Sequence, residues 1–219
     1  AFVPNSNISE SWYRDLNFND SSWILGTNGV GYERSNGYDP YINIDVDDQM
    51  DGRTSCYIRM KFNLTQADIE EWNFMILQMR YDDGFVAYLN GTQIAAAQAP
   101  ANLTWNSSAT QTHDDGSATI FQKFEASNFI NQLKVGQNLL AIHGMNISSS
   151  STDFLQVAEL QTNENDYQTA IWKLIDEEAF YKFWALEGLL SFWDGYSGNR
   201  NNYFIYLNPE TNKFHFMPW

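Results

Sequence analysis

The stretch YDDGFVAYLNGTQIAAA (residues 81–97) holds two short runs of strand-forming residues separated by Asn90-Gly91. Asn-Gly tolerates positive φ at both turn positions, so the turn twists in the same sense as the strands it joins, and the stretch predicts a tight β-hairpin. Working outward, SCYIRMKFNL (55–64) alternates apolar and polar side chains, and FMILQMRY (74–81) is a nearly continuous apolar run. ATIFQKFEAS (118–127), NLLAIHGMN (138–146) and DFLQVAEL (153–160) repeat the pattern, with Gly136-Gln137-Asn138 leading into the apolar run at 139–143. Many short strands broken by Gly, Asn, Asp and Ser clusters predict a mainly β fold, an antiparallel jelly roll or β-sandwich over residues 1–160. One short helix is expected in TQADIEEW (65–72), where Thr65 caps and Asp68 stands three residues on.

The pattern changes after a polar break. QTNEND (161–166) predicts a linker over 161–167, followed by a second segment over 168–219. There DYQTAIWKLIDEEAFYKFWALEGLLSFW (166–193) places Ile171, Leu174, Ile175, Phe180, Phe183, Trp184 and Leu190 at helical intervals. One helix is expected, or two with a bend near Asp176. Its broad aromatic stripe needs a partner surface, either the sandwich or a second copy in a homo-oligomer. The remainder, NYFIYLNPETNKFHFMPW (202–219), predicts a C-terminal β-hairpin turning over 208–212.

Composition limits the function classes. The 219 residues are 43% hydrophobic, enough for a core, and carry 27 acidic against 12 basic side chains for a net charge of −15. That field repels nucleic acid and anionic membrane surfaces. No apolar run of about 18 residues is present, so no membrane-spanning helix is expected, and AFVPNSNISE (1–10) lacks the basic and apolar blocks of a signal peptide.

Familiar enzyme signatures are sparse. Cys56, the single cysteine, stands in a strand-like run and is expected to be a buried, inert thiol. His113, His143 and His215 follow no metal-ligand spacing; His143 in LLAIHGMN is expected to be a satisfied core imidazole, and His113 in THDDG a loop residue beside acids. GYSGN (195–199) misses the final Gly of a nucleophile elbow, and GTNGVG (26–31) precedes no helix and predicts turns rather than a phosphate cradle. DVDDQMDG (45–52) has the wrong spacing for an EF-hand and predicts a solvated acidic turn. A glycoside or ester hydrolase remains the alternative enzyme class, with no carboxylate pair singled out.

FWDGYSGNRNN (192–202) spaces Asp194 and Asn199 as Asp-x-x-x-x-Asn, the spacing of a kinase catalytic loop, between a helix and a hairpin. The stretch from AFYKFWALEGLLSFWDGYSGNRNN through YFIYLNPETNKFHFMPW resembles the CotH-type family of spore-coat and secreted protein kinases, over residues 168–219. The resemblance implies Asp194 as catalytic Asp, with Asn199 or Asn202 facing metal or phosphate. It also implies a nucleotide lobe before the helix, which residues 1–160 do not supply, and a metal-binding acidic motif after a Pro-Trp such as Pro218-Trp219. The expectation is a segment without phosphotransfer turnover or nucleotide use in this chain.

Residues 10–160 resemble the galactose-binding-like jelly rolls found beside CotH-type kinases in exported bacterial proteins, and the accessory sandwiches of glycoside hydrolases. The segments that carry the resemblance are NFNDSSWILGTNGVGYERSNGYDPYINIDVDDQM (17–50), SCYIRMKF and YDDGFVAYLNGTQIAAA. It implies a carbohydrate-binding accessory module, extracellular or in the cell envelope. Sugars stack on aromatic faces, and Trp12, Trp23, Tyr32, Tyr38, Tyr41 and Trp105 occupy loop-like contexts suited to that role. Asp82 and Asp83 at a turn, with Asp153, are expected to hold a calcium ion, which takes several oxygen ligands.

Overall fold

The computed structural model describes residues 1–72, 74–162, 174–192 and 194–218. The chain divides into two compact units, Ala1–Thr162 and Asn163–Trp219.

The first unit is a sandwich of two sheets. Strands β1 (Val30–Glu33), β2 (Ile44–Asp45), β4 (Ile76–Asp82), β7 (Gln122–Glu125) and β9 (Asp153–Gln161) form one sheet in the order β2-β1-β9-β4-β7. Strands β3 (Ser55–Leu64), β5 (Gly84–Leu89), β6 (Thr92–Ala97) and β8 (Gly136–Met145) form the other in the order β3-β8-β5-β6. All pairings within it are antiparallel except β1 with β2. The core between the sheets takes Tyr32, Leu77, Met79 and Phe154 from one side and Cys56, Ile58, Phe85, Leu140 and Ile142 from the other. Alternation along each strand supplies these inward side chains, as the sequence pattern predicts.

The hairpin forms as expected over Gly84–Ala97, whereas Tyr81 and Asp82 end β4 in the other sheet. Asn90 has φ of 50° and Gly91 of 92°. The Asn90 side chain does more than turn the chain: its Nδ2 donates to Asn138 Oδ1 and Gln132 O, and its Oδ1 accepts from Leu139 N. Thr65 and Asp68 form a reciprocal capping box at the Gln66–Glu71 helix. The strand expected over 118–127 begins later, at Gln122, because Asp114 accepts from Ser117 N and caps a helical turn ending at Ala118. The acidic run at 45–52 is likewise a helical turn, Asp47–Met50, with Met50 buried and Arg34 paired to Asp47 at 2.7 Å.

Both outer faces are covered, and this decides the fate of several aromatics. Tyr57, Leu139 and Ala141, on the outer face of the four-stranded sheet, pack under Trp12, with Phe2, Ile8, Leu16, Phe18 and Trp23 around them. Arg59 secures that cover: its side chain, 2% exposed, pairs with Asp20 at 2.9 Å and donates to the carbonyls of Trp12 and Asp15. On the five-stranded sheet, Tyr38, Leu155, Val157 and Ala118 form a separate cluster with Tyr41, Ile42 and Phe121.

The second unit is built on the Glu177–Leu189 helix and the hairpin of β10 (Tyr203–Asn208) and β11 (Lys213–Pro218). Asp176 caps the helix by accepting from Ala179 N at 2.9 Å, and Ile175 bridges Phe214 of the hairpin. Ile175 therefore stands before this helix, at the break that the sequence allowed near Asp176; Ile171 and most of the expected linker lie outside the described residues. Only part of the apolar stripe is covered within this unit. Phe183 and Glu187 are the buried helix residues, whereas Trp184, Leu186, Leu189 and Leu190 are each at least half exposed. Phe183, Tyr196, Tyr203 and Phe216 supply an aromatic core, with Tyr203 stacked on Phe216 at 5.7 Å.

Among the described residues no helix is long and apolar enough to cross a membrane.

Candidate functional site: the Asp194 loop

The loop joining the helix to β10 brings together the three residues singled out in its sequence. Asn199 Nδ2 donates to Asp194 Oδ1, and Asn202 Nδ2 donates to Asp194 Oδ2 at 2.5 Å. Asp194 is half-buried, while both asparagines are exposed. Arg200 and Asn202 adopt left-handed backbone, φ 64° and 52°. Asparagine adopts such geometry more readily than most residues. A carboxylate offers about four lone-pair sites. Two amide donors fix its rotamer and leave capacity to accept a hydroxyl proton or a cation.

The loop rests on Glu187. That residue is 3% exposed, and its carboxylate accepts from Tyr196 N at 3.0 Å and Ser197 N at 2.9 Å. Beside it lies a cleft of about 410 Å3 lined by Phe180, Trp184, Tyr196, Ser197 and Arg200. Sequence reading found Asp194 and its asparagines through their spacing, but missed Glu187. An acid in a helix reads as solvated surface, and the one available signal was its position four residues after Phe183, on the same helical face.

The residues proposed for the sandwich are not brought together. Trp12 is 5% exposed and lies stacked on Tyr57 at 4.1 Å; Tyr38 is 1% exposed. Neither ring offers a face to a sugar, because the N-terminal segment and the Tyr38–Ile42 region cover the outer sheet faces. Tyr32 is also buried, its hydroxyl donating to Ser151 O at 3.0 Å. Trp23 is half-buried and stacked on Phe2 at 5.2 Å, and Tyr41 lies beneath the Arg80 guanidinium at 4.5 Å. Trp105 is half-buried.

Asp82 and Asp83 are 2% and 3% exposed. Asp83 Oδ1 accepts from His113 N at 2.8 Å and its Oδ2 from Ile147 N at 2.7 Å. Burial, and then the adjacent Asp83, push the Asp82 carboxyl up to about 9. Asp153 accepts from Ser151 Oγ, and burial raises its carboxyl also. Among the described residues no group of three or more His, Cys, Asp or Glu side chains is placed to hold a metal ion. The described residues do not assemble the calcium site expected of these acids: both oxygens of Asp83 are engaged by backbone amides, whereas calcium takes six to eight oxygen ligands.

His143 and His113 are held in structural contacts. His143, 3% exposed, bonds Ser55 Oγ through Nε2 at 2.9 Å, and burial lowers it to about 3, so it is neutral. The His113 ring stacks on Tyr81 at 4.2 Å, with Nδ1 2.7 Å from Tyr81 O. Cys56 is fully buried, which pushes its thiol up to about 12.

Residues 118–219 match the protein-family model described as CotH kinase protein. The match starts within the sandwich, well before the resemblance read from the tail, and contains the whole Asp194 loop. Curated proteins give no match. Solved structures with similar segments include a beta-glucuronidase from Bifidobacterium dentium complexed with coumarin-3-O-glucuronide (13% identity, 66% of this chain and 18% of that one, TM-score 0.39). A calcium-binding mutant of Bacteroides uniformis beta-glucuronidase 2 is similar at 14% identity, over 69% of this chain and 16% of that one, TM-score 0.35. The beta-D-mannosidase from Dictyoglomus thermophilum shares 17% identity over 46% of this chain and 10% of that one, TM-score 0.30. This chain thus spans less than a fifth of each of these three.

Proposed function

We propose that the second unit carries the acceptor-orienting loop of a CotH-type phosphotransferase, with Asp194 as the carboxylate that receives or orients the acceptor hydroxyl. The observation that carries this reading is the grip of Asn199 and Asn202 on the two oxygens of Asp194. The family match over the same residues supports it. Phosphoryl transfer depends chiefly on positioning and charge neutralisation. A carboxylate held by two amides is positioned before the acceptor arrives, and the exposed asparagine oxygens are acceptors suited to a metal ion.

The test is phosphate transfer from ATP to serine- and threonine-containing peptides with Mg2+ or Mn2+, read by mass spectrometry on the 219-residue chain and on longer forms of the protein. In any form that transfers phosphate, Asp194→Asn should lower the rate at least about 100-fold without changing the fold. Undiminished transfer by that variant overturns the reading, as does the absence of transfer from every form.

The sandwich, in this reading, is a non-catalytic accessory module of an exported or envelope protein, of carbohydrate-binding type. Trp105 is the aromatic of these six best suited to stack on a sugar, since it is only half-buried and, unlike Trp23 and Tyr41, makes no ring contact with another described residue. Glycan-array binding that falls at least about tenfold in Trp105→Ala supports the module; binding indifferent to Trp105 removes that residue from the site.

A further inference from the structure

We propose that Glu187 is the positioning residue for Asp194, acting through the backbone of the loop rather than by contact with any substrate. The inference deepens the reading of Asp194 given above and rests on it for its functional meaning, though its geometry stands independently.

A buried carboxylate survives in a protein interior only where donors satisfy it. Glu187 finds two on consecutive residues: Tyr196 N donates to Oε1 and Ser197 N to Oε2. Its own backbone carbonyl accepts from Phe192 N at 2.9 Å, so one residue holds the chain on both sides of Asp194. Gly195 completes the fit. A Cβ at that position would fall against Glu187 Oε1 and lie 2.8 Å from its Cδ, so any larger residue there must push the carboxylate out of its place under the loop. The Gly195 carbonyl accepts from Arg200 N at 3.0 Å, which folds the next residues back so that Asn199 and Asn202 reach Asp194. With both oxygens engaged and 3% exposure, Glu187 is not itself a candidate to touch an acceptor. Its effect on chemistry has to pass through the geometry of Asp194 and the two amides.

Glutamine is the discriminating substitution. It keeps size and one acceptor oxygen, but its amide nitrogen meets a backbone N–H with another donor. The 219-residue chain, labelled with 15N, would be compared with Glu187→Gln and Gly195→Ala. Backbone exchange at Tyr196 and Ser197 and the side-chain NH2 resonances of Asn199 and Asn202 are the readouts, with the amides of β10 and β11 as internal reference. The expected result is exchange at least about tenfold faster at one or both loop amides. The asparagine NH2 resonances should move toward free-amide positions while hairpin protection is retained. Unchanged asparagine resonances in both variants overturn the proposal. So does loss of hairpin protection in both, which would make Glu187 a support of the whole unit; if one variant alone loses it, the other decides. In a form with Asp194-dependent transfer, Glu187→Gln should lower kcat while leaving the KM for nucleotide within about twofold. If Asp194→Asn leaves transfer intact, the function reading fails while the NMR result still decides the role of Glu187.

Discussion

Replacing Asp82 by asparagine should stabilise the protein in alkaline solution, against the usual expectation for a buried polar residue. Asp82 has its carboxyl raised from 3.8 to about 9, first by burial and then by the adjacent Asp83. Asp83 already accepts two backbone N–H groups, so Asp82 carries the proton of the pair. An unfolded chain releases that proton above about pH 4, whereas the folded chain keeps it to about pH 9. The folded state therefore binds more protons across this window. Stability from this group is fully present below the unfolded value and is lost as pH rises through the folded one, at about 1.4 kcal/mol per pH unit. His143 titrates in the opposite sense, but only between about 3 and 6.5, and it is neutral in both states above that range.

The Ala1 amino group, lowered by burial, also titrates near this range, but it is common to variant and parent, so the difference between the two from pH 7 to pH 8.5 isolates Asp82. Asparagine keeps the shape and a donor toward Asp83 but has no proton to lose. The difference in unfolding free energy between Asp82→Asn and the parent, from urea melts of the full chain, should move in favour of the variant by about 2 kcal/mol across those 1.5 pH units. A difference that stays flat with pH, or moves toward the parent, would refute the assignment of a shared proton to this pair.

Three other outcomes follow from the same contacts. Asn138 is fully buried and joins Lys134, Gly136 and Asn90 through both ends of its amide, so Asn138→Ala should cost about 2–3 kcal/mol in a urea melt. Asp176→Ala removes the cap of the Glu177–Leu189 helix and should cost that unit about 1 kcal/mol, seen as a lower midpoint in helical circular dichroism. His143 is held neutral by burial, so acidification from pH 6.5 toward 3 should cost up to about 1.4 kcal/mol per pH unit through this group; His143→Gln should shrink the slope, and an equal slope in the variant would count against a buried neutral imidazole.

Strands and hairpins were legible because their signals are local. Alternation, Asn90-Gly91 and the Thr65–Asp68 box act within a few residues, and apart from the strand that starts at Gln122 instead of 118 each appears where the sequence placed it. The Asp194 loop was legible for the same reason, its three side chains lying within nine residues. What failed depended on cover. Whether Trp12 lies on a surface is settled by Tyr57, distant in sequence, and by Arg59, which ties Asp20 and the Trp12 carbonyl down over it. Tyr38 is settled by Leu155 and Val157. A loop-like context describes backbone, not exposure, and the number of aromatics did not separate sandwich lining from binding platform.

Acidic residues show the same ambiguity most sharply, and the structure supplies a physical criterion for it. Asp83 and Glu187 are both almost fully buried, and each has its two oxygens filled by backbone N–H groups: His113 and Ile147 in one case, Tyr196 and Ser197 in the other. Such a carboxylate is a fastener for loops, because releasing an oxygen to a ligand would strand a buried amide at a cost of about 1–3 kcal/mol. Asp194 differs in both respects. It is half-buried, and its partners are exposed side-chain amides that can turn to water without such a penalty. Spacing in the sequence could nominate all three acids. The donors that fill their lone pairs separate an acid that holds the fold from one free to do chemistry. Asp194→Asn should therefore leave amide exchange at Tyr196 and Ser197 nearly unchanged, whereas Glu187→Gln should speed it while the hairpin stays protected.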